Sequence, residues 1–369
     1  MPTGAAAPLQ SVVPTAPDST PLLIYGAYGY TVSLIVRQAL EAGLRPVLAG
    51  RDPRALAEIA DRHGLSHRSA PLDDSRALDA ALRGMRAVLH CAGPFVHTSR
   101  PMVDACLRLG VHYLDITGEL MVFEAITTRD AEARKRGVAL LPGVGFDVVP
   151  SDCLAAHLVG RLPNATHLEL AFRSSGGVSR GTATTVAENA GSGGAVRRDG
   201  TIVSVPPAWR TRRIDFGDGE RSLAVSIPWG DVSTAWHSTG IPNVVVYMAM
   251  TPAMRRALVL SRWLGWLLSA GQVRRELVRR ARSRRPGPSD ASRARAESRL
   301  WGEVRDADGR AATALVVAPD GYTLTARTAV AAAQRVLAGD VGGGFSTPSQ
   351  AFGADFILAQ PGVERIDVS

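Results

Sequence analysis

Cysteine and lysine are scarce in this chain of 369 residues. The three cysteines, Cys91, Cys106 and Cys153, are odd in number, and no two of them have C-x-x-C spacing. This argues against a disulfide framework and a zinc site and favours a reducing compartment, so we expect a cytoplasmic protein without a bound metal. Lys135 is the only lysine, so nearly every basic residue of this chain is arginine. A large number of arginines is therefore not by itself a sign of a special function.

Long hydrophobic runs are also missing. Residues 1–20 are rich in Ala, Pro, Ser and Thr and lack a basic start and a continuous apolar core, so we expect a disordered tail. Met254–Ala270 is apolar, but arginines interrupt it and it is too short to cross a bilayer. Its Trp263 and Trp266 precede residues 274–299, which hold ten arginines against three acids. The segment predicts either a buried or dimer-interface helix, or a helix that lies on an anionic membrane.

The most informative segment is an apolar strand that runs into glycines. Leu22–Tyr25 precedes Gly26-Ala27-Tyr28-Gly29-Tyr30-Thr31, and an apolar-periodic helix follows, whose N-terminus would favour an anion. The pattern is G-x-x-G, without the remaining glycine positions of G-x-G-x-x-G. Many NAD proteins have an acid at the end of the second strand for the ribose 2′-hydroxyl, whereas Arg51 stands there in this chain and suits a 2′-phosphate. The segment predicts a first βαβ unit that binds NADP(H).

Strands and helices alternate up to about residue 150, where the pattern changes. The alternation predicts a Rossmann-type doubly wound parallel sheet and includes one long amphipathic helix over Glu119–Arg136. Beyond about residue 165, extended segments predict a second α+β domain with a mostly antiparallel sheet. The expected regions are a disordered tail (1–20), an NADP-binding Rossmann domain (21–150), a substrate or dimerisation domain (151–322), and a C-terminal helix and tail that return to the Rossmann domain (323–369).

Four phrases of the sequence point to one family: Gly26-Ala27-Tyr28-Gly29-Tyr30-Thr31, Cys91-Ala92-Gly93-Pro94-Phe95, Tyr113-Leu114-Asp115-Ile116-Thr117-Gly118-Glu119 and Pro142-Gly143-Val144-Gly145-Phe146-Asp147-Val148-Val149-Pro150-Ser151-Asp152. Together they resemble the saccharopine dehydrogenase-like oxidoreductases, and in particular the actinobacterial branch that includes trans-acting enoyl reductases. The family usually has glycine where this chain has Val32. A larger side chain there should push the helix outward slightly and affect cofactor affinity.

The candidate cofactor site lies where the predicted strands end, because ligands of doubly wound sheets bind beyond the carboxyl ends of the strands. The glycine-rich turn, the second strand, the fourth strand and the fifth strand each contribute residues there. We expect the cofactor to contact Gly26, Ala27, Tyr28, Gly29, Tyr30, Thr31, Arg51, Ala92, Gly93, Pro94, Phe95 and Asp115.

Reduction by a nicotinamide also requires a proton donor. His237 has a titration range suited to donation near neutral pH, and Asp147 and Tyr247 are alternatives. We expect the substrate to bind between residues 93–95 of the first domain and residues 236–238 of the second.

The resemblance implies an NADPH-dependent oxidoreductase that reduces an activated double bond, and the C=C of a polyketide- or lipid-derived intermediate is implied by the resemblance alone. One alternative is a C=N reductase or saccharopine-type C–N dehydrogenase, whose substrate carboxylates would need cationic clamps. Another is a non-catalytic NADP-binding adaptor for a membrane or a carrier protein. The expected partner is a small-molecule or carrier-bound apolar substrate and no nucleic acid; peripheral membrane contact and a homodimer are left open. The candidate clamps are Arg173, Arg180, Arg210, Arg212 and Arg213.

Overall fold

The computed structural model describes residues 20–188, 191, 193–268 and 271–368, with the side chains of 264–268 left aside. The expected tail therefore lies almost entirely outside the described residues. In chain order the first half contains β1 (Leu22–Tyr25), α1 (Tyr30–Glu41), β2 (Val47–Gly50), α2 (Pro53–His63), β3 (His67–Ser69), α3 (Ser75–Leu82), β4 (Ala87–His90), α4 (Phe95–Leu109), β5 (His112–Asp115), α5 (Leu120–Thr127), α6 (Asp130–Arg136), β6 (Ala139–Leu141) and α7 (Val149–Arg161).

The second half contains longer strands and the remaining helices. They are β7 (His167–Ser174), α8 (Arg180–Glu188), β8 (Gly194–Arg198), β9 (Thr201–Val205), β10 (Thr211–Asp215), β11 (Arg221–Ser226), α9 (Asp231–Thr239), β12 (Asn243–Ala249), α10 (Pro252–Leu268), α11 (Gly271–Arg282), α12 (Asp290–Arg295), β13 (Glu297–Arg305), β14 (Ala311–Pro319), α13 (Gly321–Ala338), β15 (Gly344–Phe345), α14 (Pro348–Phe352), a 3₁₀ helix (Phe356–Ala359) and β16 (Glu364–Asp367).

The first sheet is parallel and doubly wound, as the sequence predicts. Its strand order is β15-β6-β5-β4-β1-β2-β3. All four residues of β1, β2 and β4 are buried, because helices cover both faces of the sheet. The order reverses at β1, between β4 and β2, and such a switch point opens a crevice at the carboxyl ends of the strands. This crevice, beyond the ends of β1, β4, β5 and β6, is here called the cleft.

The predicted helix over Glu119–Arg136 is wrong, because the structure has α5 and α6 in its place. The hydroxyls of Thr127 and Thr128 donate to the carbonyls of the preceding turn, to Glu124 O and Ala125 O. Threonine side chains that bond to the backbone in this way compete with regular helix geometry. The chain therefore turns at this point, and α6 starts in a new direction.

The second sheet is mixed and has the order β10-β11-β12-β7-β13-β14-β16, with the β8–β9 hairpin attached to β12. Its central pair β12 and β7 is parallel, and the other pairs are antiparallel. β13 and β14 form a hairpin, in whose turn the Asp306 carboxylate accepts from the backbone N–H groups of Asp308 and Arg310. Apolar residues of α7 and α9 pack on one face of this sheet in a core that is continuous with that of the first sheet.

The C-terminal segment is divided between the two sheets. Helix α13 packs against α1, and β15 extends the first sheet beside β6. In contrast, β16 pairs with β14 at the edge of the second sheet. The last residues therefore do not return to the Rossmann domain, and the chain terminus connects both halves of the molecule.

Among the described residues, no helix combines the length and the apolar character needed to cross a bilayer.

Two adjacent glycines allow the docking of β15 to be tested. A Cβ on Gly343 would lie 2.8 Å from Gly137 Cα, a backbone contact that cannot give way, whereas a Cβ on Gly342 would meet nothing within 4 Å. We expect Gly343→Ala to lower the free energy of unfolding by about 1–3 kcal/mol, and Gly342→Ala to change it by less than about 1 kcal/mol. Urea denaturation measures both. Equal midpoints for the two variants would contradict the close approach of these two loops.

Candidate cofactor and catalytic site

The N-terminus of α1 faces the cleft and has no side-chain cap. Gly29 occupies the N-cap position, and none of the described side chains hydrogen-bonds there. The first N–H groups of a helix have no partner within it, so they and the helix dipole favour an anion. Gly26 has φ +88°, and a Cβ on it would lie 2.9 Å from Ala92 Cβ. The turn after β1 thus packs directly on the loop after β4.

Arg51 is the cation at the end of β2. Its side chain is exposed and makes no ion pair with any residue in the described ranges. The neighbouring Asp52 caps α2, since its Oδ1 accepts from Arg54 N and Ala55 N at 3.0 and 3.2 Å. The Tyr28 ring lies over Gly50, and its hydroxyl accepts from Arg51 N at 3.3 Å. A phenol and a guanidinium therefore lie side by side at the end of β2.

The side chain of Tyr30 points away from the phosphate position. Its hydroxyl donates to Pro288 O at 2.7 Å and accepts from Arg293 Nη1 at 2.9 Å. Its ring lies edge-on to that of Tyr322 and so close to Gly287 that a Cβ there would lie 2.5 Å away. Only its backbone N–H, with that of Thr31, remains to meet a cofactor. Val32, by contrast, is fully buried in the core beneath this turn.

The segment 92–95 follows β4 and leads into α4. Phe95 is buried, and its ring lies edge-on to that of His90, 5.5 Å between centroids. The Glu119 carboxylate accepts from Phe95 N at 2.7 Å and from Val96 N at 2.9 Å. This carboxylate occupies the N-terminus of α4, where a negative charge is favoured by the helix dipole. The sequence does not single out this role of Glu119, because its partner lies 24 residues away.

The sequence predicts a cofactor contact for Asp115, and the structure corrects this. Its carboxylate is fully buried and accepts from Tyr113 Oη, Thr117 N and Gly143 N at 2.6, 2.9 and 2.8 Å. Burial raises its pKa to about 6. The side chain joins the loops after β5 and β6 beneath the cleft and has no exposed atom to offer a ligand.

Asp147 lies at the cleft, on the loop after β6. A Cβ on Gly118 would lie 2.8 Å from both Asp147 Cβ and Oδ2, so glycine is needed for the two loops to meet. The Asp147 carboxyl is partly exposed and makes no hydrogen bond to any described residue. Burial, and then the Glu119 carboxylate, raise its pKa to about 7. A large fraction of this side chain is therefore protonated at neutral pH.

Three aromatic side chains stand beside Asp147. Trp229 Nε1 donates to the Asp147 carbonyl at 2.8 Å. The Trp229 and Phe172 ring centroids lie 5.0 Å apart, and those of Phe172 and Phe146 lie 6.3 Å apart. Trp229 lies in the loop before α9, Phe172 in β7 and Phe146 in the loop that contains Asp147. Both halves of the molecule therefore contribute to one apolar surface next to the acid.

His237 does not reach the cleft, contrary to the expectation. It lies two turns into α9, where its ring packs edge-on against Phe345 at 5.2 Å and its carbonyl accepts from Gln350 Nε2 at 2.7 Å. Burial lowers its pKa. The start of α9 contacts the cleft through Trp229, and a nine-residue helix carries His237 away toward the β15 edge of the sheet. Residues 236–238 are thus not opposite residues 93–95.

Tyr247 faces the other side of the second sheet. Val244 and Val246 of β12 pack toward α7 and α9, so the alternating Tyr247 points to the outer face. There its hydroxyl donates to Glu169 Oε1 at 3.1 Å, and burial raises its pKa. It is therefore not available as a proton donor in the cleft.

Helix α8 lies across the cleft. At its start, Ser179 N donates to Tyr322 Oη at 2.6 Å, next to Tyr30 of α1. At its end, Glu188 pairs with His97 of α4 at 3.3 Å. The helix therefore has one end near Tyr30 at the start of α1 and the other near His97 in the first turn of α4.

Most of the candidate carboxylate clamps lie on the outer face of the second sheet, outside the cleft. Arg212 bonds to Glu303 Oε2 at 2.8 Å and to Glu169, and it stacks on Trp301. Arg173 pairs with Asp218 in the same region. A cavity of about 470 Å³ on this face is lined by Arg212 and Trp301, but neither β1 nor β4 contributes to it. No group of three or more His, Cys, Asp or Glu side chains in the described part of the chain could hold a metal ion.

The first domain of the chain is similar in sequence to known proteins, and the chain is similar in fold to a solved structure. Residues 22–141 match the family model described as the saccharopine dehydrogenase NADP-binding domain. The trans-acting enoyl reductase of Mycobacterium ulcerans (strain Agy99) is 32% identical over 149 residues, 38% of this chain and 35% of that protein. The trans-acting enoyl reductase of Mycobacterium leprae (strain TN) is also 32% identical over 149 residues, 36% of its length. The match thus spans about a third of these curated relatives.

A solved structure extends the likeness in fold to both domains. Apo saccharopine dehydrogenase (L-Glu forming) from Saccharomyces cerevisiae superposes with a TM-score of 0.63 over 94% of this chain and 99% of that chain, at 14% sequence identity. The similarity in fold includes the second sheet, which the family model does not cover.

The exposed Arg51 gives a direct test of cofactor preference. Arg51→Ala should lower NADPH affinity by about tenfold or more, because a hydrogen bond to a charged group contributes about 1.5–3 kcal/mol, and should change NADH affinity little. Fluorescence titration measures both cofactors. Arg54→Ala, an exposed arginine three residues away, is the matched control. Equal losses for NADPH and NADH in Arg51→Ala would exclude a contact with the 2′-phosphate.

Proposed function

We propose that the protein is an NADPH-dependent oxidoreductase that reduces an activated double bond, because residues 22–141 match the family model of the saccharopine dehydrogenase NADP-binding domain. The observation that carries the proposal is Asp147, a carboxyl group whose pKa is raised to about 7, with no hydrogen-bond partner among the described residues, at the end of β6. Such an acid is suited to give up a proton near neutral pH. It lies at the edge of the sheet where a dinucleotide of this domain type binds.

The division of roles follows from the positions of the side chains. NADPH, when bound, supplies the hydride. The N–H groups at the start of α1 and the guanidinium of Arg51 hold the phosphates of the cofactor. Asp147 gives its proton to the atom next to the one that receives hydride, and it is left as a carboxylate that takes a proton from water. Glu119 keeps α4 in place and, as a neighbouring negative charge, favours the protonated form of Asp147.

We propose an apolar acceptor, the C=C of a polyketide- or lipid-derived intermediate, free or bound to a carrier. The surface formed by Phe146, Phe172 and Trp229 supports this, because it offers aromatic contacts beside the acid. The names of the mycobacterial relatives agree with it. An α,β-unsaturated thioester would take hydride at the β-carbon and the Asp147 proton at the α-carbon.

A C=N reductase is the second candidate. The adjacent carboxyl groups of Glu119 and Asp147 would attract a cationic imine. A substrate with several carboxylates, as in saccharopine-type chemistry, is less well supported, since Arg173 and Arg212 are paired with acids on the outer face of the second sheet. Of the candidate clamps, Arg180 at the start of α8 is exposed beside the cleft.

Turnover experiments separate these candidates from a non-catalytic adaptor. Purified protein is mixed with NADPH and either an α,β-unsaturated thioester or a cyclic imine, and loss of NADPH absorbance is followed. Reduction of the thioester alone supports our proposal, and reduction of the imine alone supports the second candidate. Stoichiometric NADPH binding without turnover of either compound, together with unchanged metabolites in cells lacking the gene, would support the adaptor.

Asp147→Asn should lower the single-turnover rate of NADPH oxidation by about 10²- to 10⁴-fold while leaving NADPH affinity nearly intact. In the unsubstituted protein the rate should fall as pH rises through about 7, because only the protonated carboxyl donates. The residual rate of Asp147→Asn should not show this fall. A rate unchanged by the substitution would exclude Asp147 as the donor.

His237→Ala is the matched control, since it removes a titratable side chain outside the cleft and should leave the rate and its pH profile unchanged. Stability gives an independent readout of the Asp147 pKa. A group whose pKa is about 4 in the unfolded chain and about 7 in the folded one stabilises the fold below pH 4 and loses this contribution as pH rises through 7. The free energy of unfolding of Asp147→Asn relative to the unsubstituted protein should therefore increase from pH 4 to pH 8.

A further inference from the structure

Helix α10 presents apolar side chains to solvent on a face that no described part of the chain covers. Trp263 is 80% exposed, Leu260 62% and Met254 49%. Single exposed apolar residues are ordinary, but Leu260 and Trp263, three positions apart on one helix, form a patch, whereas Met254 lies in the first turn on another side. Arg256, Leu260 and Trp263 succeed one another at helical spacings of four and three, so they share one face.

The opposite side of α10 is fixed to the protein. Arg262 donates from Nε to Pro207 O and from Nη2 to Ala208 O, both at 2.8 Å. At 100° per residue, this side chain points roughly away from Leu260 and Trp263. The arginine that interrupts the apolar run thus anchors the helix, and the anchoring turns Leu260 and Trp263 outward.

In the neighbouring helix α11, the arginines face solvent and an apolar side chain faces the protein, as is usual for a surface helix. It packs against α8 and buries Ala281, while Arg274, Arg275 and Arg279 are exposed. Residues 252–285 together hold ten arginines and a single acid, Glu276. The patch therefore lies within a strongly cationic part of the surface.

We propose that the exposed face of α10 docks on an anionic lipid bilayer, with Trp263 and Leu260 inserted at the headgroup level and the surrounding arginines paired with lipid phosphates. Apolar and aromatic residues beside a dense basic tract are the features of an interfacial helix. Two copies of this chain would bring their arginines together if they met through this face, which disfavours a dimer contact. An acidic carrier protein would match the charge, but it would not require Trp263 and Leu260 to be exposed.

The proposal is independent of the reductase activity and is tested with the full chain and lipid vesicles. Co-sedimentation should be weak with phosphatidylcholine vesicles and should increase when phosphatidylglycerol is added. Added salt should reduce it, since arginine–phosphate attraction is screened. Binding that does not depend on phosphatidylglycerol, or binding to an acidic carrier protein with no binding to vesicles, would overturn the proposal.

Substitutions then locate the surface. Trp263→Gln should lower the partition coefficient for anionic vesicles by about tenfold, and Arg255→Gln with Arg256→Gln by a similar factor. Met121→Gln is the matched control, because Met121 is 67% exposed on α5, and it should bind as the unsubstituted protein does. The thermal midpoint should be unchanged in all variants, since each side chain is exposed. Undiminished vesicle binding of Trp263→Gln would refute the assignment to α10.

Discussion

The buried carboxylate of Asp115 is the interaction on which the site depends. It lies under the cleft and binds Thr117 N on one loop and Gly143 N on the next, while Tyr113 Oη completes its hydrogen bonds. The first loop continues into Glu119, which fixes the start of α4, and the second into Asp147. Because a buried carboxylate without these partners would cost several kcal/mol, the two loops are tied to each other. The relative positions of Glu119 and Asp147 therefore depend on a buried acid beneath the cleft.

The fold of the first sheet and the type of cofactor follow from local sequence signals. In Leu22–Thr31 a strand, a glycine turn and the start of a helix follow one another directly, so this short segment is enough to predict the first strand-to-helix turn. Arg51 directly follows the next strand, β2. The proposed proton donor depends on contacts between distant segments. Burial, and then the Glu119 carboxylate 28 residues away, raise the pKa of Asp147, and Trp229, 82 residues away, donates to its carbonyl; no local pattern reports such contacts.

The misplaced candidates have a common cause. His237 and Tyr247 are candidates because of the chemistry of their side chains, which says nothing about the direction in which they point. The direction of Tyr247 is decided by the alternation of β12, whose valines face α7. The position of His237 is decided by the length of α9. Asp115 ends β5 beside the cleft, as its place in the sequence indicates. Its carboxylate nevertheless faces the interior, and the sequence does not show the direction in which this side chain points.

The hydroxyl of Tyr30 has a thermodynamic consequence. It belongs to the first turn of α1, which we propose to hold the phosphates of the cofactor, and it is hydrogen-bonded to Pro288 and Arg293 of the second half of the chain. Any free energy that cofactor binding gains by ordering this turn also stabilises the contact between the halves, and the coupling is reciprocal.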